Sequence, residues 1–256
     1  MPSIRLGIGI DRTQPSGASY TPLAVDYFAR VLTNFSETIS DADKANWNTY
    51  ILARISMGVN SHADLFAHHA ASVCTSANQS RTSLFGNYVA TPIGMTNGAW
   101  SNGVGWTLNG SSYLSWNYNP FTLSATTGKY KLNDSGVYQI LNFLNPTVEY
   151  VTCNYGGSYG LAKDTSHYYY GMNEWNSSVT YSPSVLTNYQ NKGLASSSTY
   201  RINGTLSGTL GAPISVGNGN LLEGCYVSGT FPGSTGSTLK GICFGDSNLD
   251  DATIFA

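Results

Sequence analysis

Apolar residues recur at helical spacing only in the first third of the chain. Thr21-Pro22 has the form of a cap followed by Pro at the first helical position, and Leu23, Tyr27, Val31 and Phe35 then share one face. Ser40, with Asp43 three residues on, forms a capping box in which Asp replaces Glu; Trp47, Ile51 and Ile55 mark the buried side of the helix that ends near Gly58. Ser61 and Asp64 repeat the device ahead of Leu65, Phe66, His69 and Val73, which predicts a third helix packed against the other two. Ile4 to Ile10 alternates apolar and polar residues, as an edge strand or docking arm would.

Beyond residue 90 the period changes to two. Gly105 to Pro120 reads as a β-hairpin turning at Asn109-Gly110, and Tyr200 to Leu206 as a second one turning at Asn203-Gly204. Tyr130 to Asn142, Tyr150 to Asn154, His167 to Met172, Ile214 to Val216, Cys225 to Val227 and Leu239 to Phe244 are further strands. Their spacing is that of an antiparallel sandwich.

Composition sharpens the boundary. Residues 1–90 hold twelve of the 26 charged residues but five of the 28 Gly, while the remaining 166 residues carry 23 Gly and 14 of the 18 Tyr. Two parts follow: 1–90, an N-terminal arm and helical segment, expected to serve anchoring and oligomerisation if the chain sits on a larger particle, and 91–256, a β-sandwich. A net charge of −2 with 10% charged residues gives no footprint for nucleic acid or an anionic membrane. No run reaches the roughly 20 apolar residues of a membrane helix, and Met1 to Leu6 lacks the apolar core of a signal peptide. Cys74, Cys153, Cys225 and Cys243 form no CxxC pair and read as buried, reduced thiols.

Several motifs occur in an order that resembles a known family. Asp64-Leu65-Phe66-Ala67-His68-His69-Ala70 in the helical segment is followed by Gly105-Trp106, then Asn109-Gly110-Ser111-Ser112-Tyr113-Leu114 with Trp116 and Asn119-Pro120 behind it. Lys131 to Tyr138, Arg201-Ile202-Asn203-Gly204 and Phe244-Gly245-Asp246-Ser247-Asn248-Leu249 come after them. The series resembles bacteriophage tail and virion-surface proteins with a concanavalin A-like (laminin-G-like) jelly-roll domain. That resemblance implies a mainly β chain: a concanavalin A-like jelly-roll sandwich preceded by a small helical N-terminal segment, with a terminal helix after Leu249. It also implies a structural or receptor-binding protein of a virion surface (spike, head fibre or tail fibre), assembled in the host cytoplasm and not an enzyme. The expected partners are other copies of the chain, as a trimer ahead of a pentamer, further virion proteins docked through the N-terminus, and a host-surface glycan. A jelly-roll glycan hydrolase and a purely structural capsid-decorating protein are the alternatives.

Candidate chemistry is sparse. Glycoside hydrolysis needs two facing carboxylates, and the only close pairs are Asp246/Asp250 and Asp250/Asp251, at the last turn. Asp246, Asn248 and Asp250 imitate the opening of a calcium loop, but Asp251 stands where Gly is required, so no metal and no cofactor is expected. His62 and His69 are too far apart on a helix for a metal clamp. The strongest signal is aromatic residues interleaved with Asn. Trp116, Tyr118, Tyr155, Tyr168, Tyr170, Asn173 and Trp175 are the candidate carbohydrate-binding residues, with rings for stacking and amides for hydroxyls.

Overall fold

The computed structural model describes residues 19–119, 219–224 and 236–246 in full, together with the backbone of the strands between 135 and 232. Helix α1 (Pro22–Phe35) opens as its sequence predicts: Thr21 Oγ1 accepts from the Ala24 amide at 3.3 Å, Pro22 needs no amide partner, and Ser36 closes the helix at φ 54°. Helix α2 (Asp41–Ser56) starts on Ser40, whose Oγ accepts from the Asp43 amide at 3.2 Å and donates to the Asp43 carboxylate at 2.8 Å. Tyr27 and Val31 from α1 meet Trp47 and Ile51 from α2 in a common core.

The third predicted helix is a correction. Only a short turn, α3 (Val59–His62), forms, and Ala63–Ala67 is strand β1. β1 pairs antiparallel with the last strand, β17 (Thr238–Gly245), through Leu65↔Phe244 and Ala67↔Ile242. The reason is tertiary. Ala63, Leu65, Phe66 and Ala67 are all buried, on both faces of a strand whose backbone pairs with β17, whereas a surface helix would half expose them. A single turn, α4 (Ala77–Ser80), then leads into the sandwich.

The strands that follow are β2 (Ala90–Ile93), β3 (Trp100–Ser101), β4 (Gly105–Thr107), β5 (Tyr113–Trp116), β6 (Ser135–Asn142), β7 (Glu149–Cys153), β8 (Tyr159–Lys163) and β9 (His167–Met172). After them come β10 (Trp175–Thr180), β11 (Asn188–Gly193), β12 (Ser198–Ile202), β13 (Thr205–Leu210), β14 (Leu222–Glu223), β15 (Cys225–Val227) and β16 (Thr230–Pro232). One sheet runs β13-β12-β11-β6-β17-β4-β3, with β1 joined to β17; a second runs β10-β9-β8-β7-β14-β5-β2, and β15 and β16 pair separately. Every pairing is antiparallel. The fold is thus mainly β, a two-sheet jelly-roll sandwich preceded by a small helical segment. The predicted Ile4–Ile10 strand, the Ile214–Val216 strand and the terminal helix lie outside the described residues.

The two Asn-Gly turns differ. Ile202 pairs with Thr205, so β12 and β13 form the expected hairpin. β4 and β5 do not pair with each other: β4 lies between β3 and β17, β5 between β2 and β14 in the other sheet. Asn109-Gly110 is therefore an arch between sheets. Asn109 accepts from the Ser111 amide at 3.0 Å and donates to the Gly94 carbonyl at 3.0 Å, and Gly110 takes φ 82°. The arch carries Trp106 on one sheet and Trp116 on the other, both fully buried.

Candidate functional site

β1 carries the chain to His69, at the meeting of the helical segment and the sandwich. Its side chain is wholly buried, and so is Glu223 on β14. His69 Nδ1 lies 2.7 Å from the Ser80 carbonyl oxygen, and Nε2 lies 3.1 Å from Glu223 Oε2. Trp116 Nε1 donates to the same carboxylate at 2.6 Å, and the indole stacks beside the imidazole with ring centres 6.1 Å apart. Trp106 Nε1 donates to Ser80 Oγ at 3.0 Å, and Trp100 Nε1 to the His69 carbonyl at 2.8 Å. Three indole N–H groups thus satisfy an interior polar cluster, as burial demands. Shut off from solvent, it ties parts of the chain together rather than meeting a ligand.

Beside it, Tyr50 on α2 makes a 2.5 Å hydrogen bond with His68 Nδ1, and the Arg54 guanidinium lies 4.3 Å from the centre of the Tyr50 ring. Burial lowers the His68 value to about 3, and the cations Arg54 and Lys240 push the same way. Burial pushes Tyr50 up to about 12. The pair is therefore neutral at ordinary pH, with the phenol donating to the imidazole. Among the described residues, Cys74 and Cys243 are free thiols, buried and pushed up by that burial.

The predicted carbohydrate residues divide. Trp116 and Tyr118 are corrected: both are fully buried, Trp116 held by Glu223 and Tyr118 packed edge-on against Tyr88, so no sugar reaches either ring. Asn117 between them is exposed, as strand alternation requires. Trp175 opens β10, an edge strand of the seven-stranded sheet, and Tyr168 and Tyr170 lie on β9 beside it. In register Tyr168 stands opposite Lys163 and Val179, Tyr170 opposite Leu161 and Ser177, and Trp175 opposite Gly171, with an irregularity between Trp175 and Ser177. Tyr155 and Asn173 lie outside the described residues.

Of the calcium candidates, Asp246 is engaged: its Oδ2 lies 2.9 Å from His62 Nδ1, while its amide donates to the His62 carbonyl at 2.9 Å. Asn248 and Asp250 lie outside the described residues, among which no three His, Cys, Asp or Glu gather as a metal would require. The His69–Glu223 pair escaped the sequence reading. Its signal is an acid inside the apolar run Leu221-Leu222-Glu223, a position that needs a buried partner.

With this geometry in hand, the class is a jelly-roll β-sandwich, and its likeness to known proteins is one of fold. No protein-family model matches the chain. No curated protein matches it either. A mutant of Trypanosoma rangeli sialidase displaying trans-sialidase activity superposes with a TM-score of 0.54 at 11% identity, over 83% of this chain and 38% of that one. T. rangeli sialidase in complex with the inhibitor DANA gives 0.52 at 11% identity, over 82% and 38%. The binding domain of botulinum neurotoxin serotype D gives 0.49 at 10% identity, over 77% and 51%. The chain spans little more than a third of the sialidase length. This likeness corrects the expectation that the chain is not an enzyme: sialidase and trans-sialidase chains contain the same sandwich, so nothing in the architecture separates it from glycan-processing proteins.

Proposed function

We propose that this chain is a glycan-recognition module of a virion surface, with its sugar site on the strands β8 to β10. The observation that carries the reading is the density of Tyr, Trp and Asn in the sequence from Tyr155 to Trp175, a stretch that includes strands β8 and β9 and the first residue of β10. Broad rings with adjacent amides are what sugar faces and hydroxyls require. A sandwich of this form occurs in T. rangeli sialidase, one structure of which holds 2,3-difluorosialic acid as a covalent intermediate, and this favours an acidic glycan. The motif series supports the virion setting. In that setting copies assemble as a homotrimer docked through the N-terminus, and several weak sites on one particle gain by avidity.

The test is binding of the purified chain to a panel of sialylated and neutral oligosaccharides, with sugar release read in the same wells. Wild type binds at least one glycan, and Trp175→Ala or Tyr155→Ala weakens that binding tenfold or more while the circular dichroism spectrum is retained. Unchanged binding by both variants would remove the site from the Tyr155–Trp175 stretch.

A further inference from the structure

We propose that the His69–Glu223 contact is a proton-holding clasp, so that closing the N-terminal segment onto the sandwich takes up one proton. The neighbour of His69 Nδ1, at 2.7 Å, is the Ser80 carbonyl oxygen, which can only accept, so Nδ1 carries hydrogen. Nε2 then faces Glu223, 3.1 Å from Oε2 and 3.4 Å from Oε1, and Oε2 already accepts from Trp116. A neutral imidazole with hydrogen on Nδ1 presents a bare lone pair at Nε2. Against an ionised carboxylate, in a site with 0% and 1% side-chain exposure, that would be repulsion with no water to relieve it. A hydrogen bond exists there only with a proton between the two groups, whether it resides on Nε2 or on the carboxyl. The adjacent His68 is neutral, and the charged side chains around it are Arg54 on α2 and Lys240 on β17. Those two cations oppose a full positive charge on His69, and the carboxylate offsets it, so the proton belongs to the pair.

The folded pair holds two protons, one on Nδ1 and one shared. In the unfolded chain above about pH 6.5 an ordinary histidine holds one and a glutamate none. Folding therefore takes up a proton there, and the folding constant falls up to tenfold for each unit of rising pH. Between about pH 4.3 and 6.5 the unfolded pair also carries two, and the clasp adds no pH dependence. A segment is thereby joined to the sandwich by a contact that weakens on the alkaline side.

Glu223→Gln tests this in the full chain. The amide can donate to Nε2 and accept from Trp116 with no extra proton, so the interior network survives and the linkage disappears. In urea unfolding at pH 6.5, 7.5 and 8.5, the wild-type folding constant falls relative to that of E223Q by about tenfold per unit. Coincident slopes would overturn the clasp. Nitrogen-15 spectra of the wild-type histidine rings at pH 8 decide the matter if the variant does not fold. The clasp predicts a slowly exchanging, strongly downfield proton shared by His69 Nε2 and the Glu223 carboxyl, and the absence of such a proton from both groups would refute it.

Discussion

Trp116→Phe separates an interior indole from a sugar-binding one. The residue is fully buried, its Nε1 donates to Glu223 at 2.6 Å, and its ring lies beside His69. Phenylalanine keeps an aromatic ring but removes the donor, and a hydrogen bond to a charged acceptor contributes about 1.5–3 kcal/mol. The space left by the smaller ring adds about 1 kcal/mol, at about 24 cal/mol per Å3 of uncollapsed cavity. The expected loss is about 3 kcal/mol. With a urea m-value of about 2–3 kcal/mol/M for a chain of this size, the midpoint falls by about 1 M. Glycan binding by the surviving folded fraction stays unchanged. A loss below about 0.5 kcal/mol combined with weakened glycan binding would put the indole on the surface and refute the packing described above.

His68 contributes to acid sensitivity. Its value is depressed to about 3 when folded, so its stabilising effect is complete above about pH 6.5. That effect declines by about 1.4 kcal/mol per unit as the pH falls toward 3. His68→Gln flattens that limb in urea titrations, and an unchanged limb would count against the burial. Gly105 sits at φ 95° with the Leu239 carbonyl oxygen where a Cβ would go, so Gly105→Ala costs about 3 kcal/mol in thermal unfolding. Ser40→Ala removes the cap of α2 and costs about 1 kcal/mol in the same assay, and a neutral result would show the cap to be idle.

How far the sequence reveals this structure depends on whether the deciding contact is local. α1 and α2 are legible because their caps, Thr21-Pro22 and Ser40, act within three residues. The segment after Ser61 carries equally good cap chemistry, yet it becomes β1 because β17, more than 170 positions away, offers an antiparallel partner for its backbone and the helical core covers Ala63 and Phe66. Asn109-Gly110 was legible as a turn but not as an arch, since the dipeptide sets a backbone conformation and says nothing of which strands its flanks will join. In Tyr113 to Tyr118, alternation puts Trp116 and Tyr118 together, opposite Asn117. Burial decides which side is wet, and the pair went to the core. The His69–Glu223 clasp was out of reach because its halves lie 154 residues apart and each looks solitary along the chain.

The measurement that bears most directly on the proposed function is hydrogen–deuterium exchange with and without a bound oligosaccharide from the panel. The account predicts added protection in peptides covering β8 to β10, Tyr159 to Thr180, with the helices α1 and α2 unchanged. Protection confined to the helical segment, or no glycan-dependent protection anywhere, would contradict it.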